Sequence, residues 1–82
     1  MELRVLRYFL AVAREGTITR AAERLFVTQP TLSKQLKELE DELGCRLFER
    51  GTRTVTLTEE GRILRARAEE ILGLAERARA EL

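Results

Sequence analysis

The stretch "VTQPTLSKQLKELEDELG", residues 27–44, reads as one amphipathic helix whose two ends differ in character. At 100° per residue, Leu32, Leu36, Leu39 and Leu43 gather on one stripe, and Gln29, Pro30, Ser33, Lys34 and Lys37 on another, roughly a third of a turn away. The leucine stripe suits a core, so the polar stripe faces outward. Residues 28–37 hold Lys34 and Lys37 and no acid, whereas Glu38, Glu40, Asp41 and Glu42 follow immediately after. The start of a helix already favours negative charge, through its unpaired amides and its dipole. Keeping acids away from that end makes the tip a surface for an anion.

Around this helix the pattern stays helical. Leu3, Leu6, Phe9, Leu10 and Ala13 mark a first helix over about residues 2–14, closed by Glu15-Gly16. Thr17 offers an N-cap to a second, whose inward positions are Ile18, Ala21, Ala22 and Leu25; the adjacent alanines predict a close helix crossing. Phe26-Val27 form a short turn, Thr28 or Gln29 caps the third helix, and Pro30 fits its first turn, where the missing N–H has no partner to lose. Gly44 ends it. In "CRLFERGTRTVTLT" the glycine turn and the alternation of Thr54, Val55, Thr56 and Leu57 predict a short two-stranded hairpin. Thr58 caps a last helix, with Glu59 and Glu60 at its dipole-favoured start.

Composition narrows the function classes. Eighty-two residues with 44% hydrophobic and 35% charged side chains fit one small helical domain with an appended helix. A net charge of +1 does not announce a nucleic-acid binder, so such a role must rest on local placement. With no histidine, Cys45 has no partner for a Cys/His metal site or an activated nucleophile, and it reads as a small apolar residue. No metal and no cofactor are expected. No apolar run approaches the roughly 20 residues of a bilayer span, and the chain reads as cytoplasmic.

Phosphate is the anion that best matches the tip, and a helix entering end-on fits the major groove of B-DNA, about 12 Å wide. Gln29 can pair with adenine, Lys34 can donate to guanine, and Pro30 and Thr31 offer apolar contact to a thymine methyl. Thr28, Ser33 and Lys37 are suited to the backbone phosphates, which position without specifying. In the hairpin, Arg50 and Arg53 would straddle the backbone or enter the adjacent minor groove.

From Tyr8 to Gly61 the chain resembles the N-terminal DNA-binding domain of LysR-type transcriptional regulators. The motifs are the alanine pair 21–22, "TQPTLS" at 28–33, "LGCRLFER" at 43–50 and "LTEEG" at 57–61, in order and correctly spaced. The resemblance implies a mainly α, winged helix-turn-helix fold: a three-helix core with a two-stranded β wing over residues 1–58, and a linker helix for dimerisation over 59–82. It implies sequence-specific binding to double-stranded DNA, with Thr28, Gln29, Pro30, Thr31, Ser33, Lys34, Arg50 and Arg53 as the positions carried over. Lys34 stands where these proteins often have Arg, which would bind bidentately. It further implies antiparallel pairing of the linker helices, a dimer or tetramer in the full-length protein, and an effector-binding domain that these residues are too few to form.

In the last helix Leu64, Ala68, Ile71, Ala75, Ala78 and Leu82 follow heptad spacing and form a candidate homodimer seam. A second stripe, Ile63, Arg67, Glu70 and Leu74, is then left for the domain itself. Half of the seam is alanine, so the buried area is modest and association is expected to depend on concentration. A two-fold dimer would read a roughly palindromic site. Two other classes compete: an interaction module docking an acidic partner protein through the same tip, and an enzyme. The second is disfavoured by the lack of histidine, of a glycine-rich phosphate loop and of any evident catalytic carboxylate pair.

Overall fold

Among the residues described in the computed structural model, 1–49 and 54–82, the chain forms four helices: α1 (Leu3–Glu15), α2 (Ile18–Leu25), α3 (Gln29–Leu43) and α4 (Glu59–Glu81). Three of them start at a threonine whose hydroxyl accepts an otherwise unpaired amide: Thr17 from Arg20 at 3.1 Å, Thr28 from Thr31 at 3.2 Å and Thr58 from Gly61 at 3.0 Å. Thr28, not Gln29, is therefore the cap of α3. Gly16 and Gly44 end α1 and α3 with φ of 79° and 72°, which a residue with a Cβ adopts only at a cost. Phe26 makes the corresponding turn after α2 at φ 58° without being glycine, and its side chain is 95% exposed.

The core is where the helix faces meet. Phe9 and Val12 of α1, Ala21 of α2, Leu32 of α3 and Ala68 of α4 are fully buried. The alanine pair of α2 lies in this core, as its small size predicts for a close crossing. Leu36 and Leu39 continue the α3 stripe inward, while Leu3 and Leu43 run past the core and stay partly exposed.

After α3 the chain returns through an isolated antiparallel bridge between Phe48 and Leu57, extended by the Glu49 amide donating to the Thr56 carbonyl at 2.8 Å. No longer strand is present among the described residues, and the expected hairpin tip at 50–53, with Arg50 and Arg53, lies outside them. The base is held from several directions. Phe48 packs on Phe9 with ring centroids 5.3 Å apart, and the Val55 amide donates to the Gly16 carbonyl at 2.7 Å. The Thr58 hydroxyl donates to the Arg46 carbonyl at 2.7 Å.

One expectation is reversed in α4. Leu64 and Ile71 pack against the domain core and Ala68 is fully buried in it, so the first half of the heptad seam is occupied within the chain. Ile63 and Leu74, expected on the domain side, are 59% and 60% exposed. The two stripes lie about 100° apart on the helix, and both carry apolar residues. The inward stripe is the one with the small residues: Ala68 is fully buried, and at Gly61 a Cβ would collide with the carbonyl oxygen of Leu47. Ala78 and Leu82, at the far end of the seam, remain exposed.

The two glycines of α4 are expected to respond oppositely to alanine. Gly61→Ala should destabilise the fold by about 1–3 kcal/mol through overpacking. Gly73→Ala, where a Cβ meets nothing within 4 Å, should stabilise it by about 1 kcal/mol through helix propensity. Thermal melts of the two variants check this; a stable Gly61→Ala protein would contradict the packing described.

Candidate nucleic-acid interface

Burial of Leu32, Leu36 and Leu39 fixes the rotation of α3 and turns its other stripe to solvent. Gln29, Pro30, Thr31, Ser33, Lys34 and Lys37 are all exposed, as is the cap Thr28. The first turn of α3 contains no acid. The predicted reading residues therefore share one protruding helix end, with nothing of the domain's own body over them.

The fine structure of this end departs from a simple row of free amides. Pro30 has no N–H, and the Thr31 amide is taken by the Thr28 hydroxyl, which itself donates to the Thr31 hydroxyl at 2.9 Å. Of the first three helical residues only Gln29 can offer a backbone amide, so side chains supply most of the donors. Thr28 is accordingly first a cap. Lys37 sits 3.4 Å from Asp41, one helical turn on. Such an exposed pair contributes about 0.3–0.5 kcal/mol, which a phosphate readily replaces. Lys34 makes no ion pair with any described residue and presents an uncommitted ammonium.

Further cations are exposed on neighbouring segments. Arg46 is exposed at the start of the bridge segment, and Arg20 is exposed on the first turn of α2, beside Thr19. Arg20 was not singled out from the sequence, although the Thr17 cap read there already places it in the first turn of α2. The acids behind the tip, Glu38, Asp41 and Glu42, are exposed near the far end of α3. Among the described residues no group of three His, Cys, Asp or Glu side chains is placed to hold a metal ion. No described helix is long and apolar enough to cross a membrane.

The chain has close relatives. The family model for the bacterial regulatory helix-turn-helix proteins of the lysR family matches residues 3–62. The transcriptional regulator BudR of Klebsiella aerogenes is 55% identical over 78 residues, which are 95% of this chain and 54% of that protein. BsdA of Bacillus subtilis (strain 168) is 53% identical over 73 residues, 88% of this chain and 25% of BsdA. The chain thus spans between about a quarter and about half the length of these relatives. Among solved structures, the DNA-binding domain of BenM in complex with the benA site 1 DNA superposes with a TM-score of 0.96 at 44% identity, covering 99% of this chain and 94% of that one. Matched motifs, helix order and backbone agree: the chain belongs to the lysR family of bacterial regulatory helix-turn-helix proteins.

Proposed function

We propose that this chain is the sequence-specific DNA-binding domain of a transcriptional regulator, acting in the cytoplasm on double-stranded DNA and performing no catalysis. The observation that carries the reading is the exposed, acid-free start of α3 on a backbone that superposes on a domain solved with DNA bound. Residues 1–58 form the winged helix-turn-helix and 59–82 the linker helix. Gln29, Pro30, Thr31 and Lys34 meet base edges in the major groove, and Thr28, Ser33 and Lys37 meet phosphates. Arg20, at the start of α2, is a further phosphate ligand, since the first helix of such a pair crosses the backbone. The segment joined by the Phe48–Leu57 bridge is the base of the wing, and Arg50 and Arg53 extend it to the backbone or minor groove.

Dimerisation runs through α4, but on a different face from the heptad seam. Leu64, Ala68 and Ile71 are committed to the domain core, so the partner helix meets the exposed Ile63 and Leu74, together with Ala78 and Leu82 at the free end of the seam. A two-fold pair of this kind presents two reading helices to a roughly palindromic site.

Binding to an inverted-repeat duplex should weaken steeply as salt rises, because counterions are released from each neutralised phosphate. Gln29→Ala should reduce discrimination between specific and random duplex by about 1–3 kcal/mol. Arg53→Ala should lower affinity for both alike. Fluorescence anisotropy titrations at several salt concentrations check this, and an absence of binding at low salt would defeat the proposal. For the dimer, Leu74→Asp should shift sedimentation towards the monomer at a given concentration while leaving the helical circular dichroism signal intact. An unchanged sedimentation profile would remove this face from the interface.

A further inference from the structure

Glu40 stands apart from the acids around it. Glu38, Asp41 and Glu42 are exposed, whereas Glu40 is half-buried and its carboxylate accepts the Leu47 amide at 2.7 Å. Its backbone carbonyl accepts the Gly44 amide at 2.8 Å and the Cys45 amide at 3.3 Å. Three amides, those of residues 44, 45 and 47, thus converge on one residue as the chain leaves α3. Leu47 is itself a fixed point: its side chain is 1% exposed and its carbonyl accepts the Thr58 amide at 3.0 Å.

We infer that Glu40 is a positioning residue for DNA binding: its carboxylate fastens the base of the wing to the rear of the reading helix, so that tip and wing meet the duplex as one rigid unit. This rests on the wing's proposed contact with DNA. Eleven residues separate Gln29 from Glu40, about 17 Å along a helix, so one rod carries the reading tip at its front and the wing's anchor behind. A carboxylate accepting a backbone N–H forms a charge-assisted bond, shorter and stronger than a neutral one. An apolar residue here would leave the amide of a buried leucine without this acceptor. The hydrogen bond also keeps this one negative charge turned inward, away from the groove.

The test uses the full chain with a duplex selected from a random pool. Glu40→Gln keeps an acceptor oxygen at the same reach; Glu40→Ala removes it, and Glu40→Asp keeps the charge but falls one methylene short. Amide hydrogen exchange at Leu47 should be slowest in the parent, only slightly faster in Glu40→Gln, whose neutral acceptor makes a weaker bond, and at least tenfold faster in the other two. Affinity should be retained in Glu40→Gln and fall about tenfold in Glu40→Ala and Glu40→Asp. Discrimination by the α3 tip should stay unchanged in all three. In a double-mutant cycle, Arg53→Ala should cost less in the Glu40→Ala background than in the parent, because a displaced wing has less to lose. If Glu40→Ala fails to fold, the cycle runs with Glu40→Asp. Additive losses in the cycle, or an unchanged Leu47 exchange rate in Glu40→Asp, would overturn the inference. Loss of nothing on Arg53→Ala in the parent overturns the wing reading itself, and is recognised because Leu47 exchange still responds to Glu40.

Discussion

Burial of the α3 leucines in the core shared with α1 and α2 is the constraint on which the surface of this domain depends. Leu32, Leu36 and Leu39 are apolar, and exposing them to water would forfeit much of the stability available to so small a chain. Once they are inward, the rotation of α3 is no longer free. Gln29, Ser33 and Lys34 then face solvent because of where the leucines are, so the polar stripe needs no interaction of its own to hold it outward. The exposed stripe is in this way oriented by residues that are themselves buried.

A second centre forms around Leu47. Its side chain, amide and carbonyl are each engaged, by the core, by Glu40 and by Thr58 respectively, and Gly61 leaves the space its carbonyl needs. The consequence is that α3, the bridge segment and α4 share a common anchor.

Electrostatics does not separate this protein into basic and acidic halves. With a formal net charge of +1, what distinguishes the surface is placement: cations and hydroxyls at the start of α3, acids towards its end. Surface ion pairs such as Lys37–Asp41 are weak enough to open when a phosphate arrives.

Sequence alone determined the helices to within a residue or so, because periodicity, threonine caps at 17 and 58, a cap at Thr28 or Gln29, and glycine stops at 16 and 44 are local signals that each carry a physical cause. It also determined which face of α3 looks outward, since only one of its stripes is apolar. The face of α4 could not be read in that way: two stripes about 100° apart both hold apolar residues. The choice went to the stripe containing Ala68, where a neighbouring helix can approach closely, and Ile63 and Leu74 were left exposed. Equally hidden was the role of Glu40, one acid in a run of acids until the fold brought the Leu47 amide to it. Local chemistry is written along the chain; which surfaces of equal hydrophobicity meet, and which charge finds a buried donor, is settled only when distant segments pack.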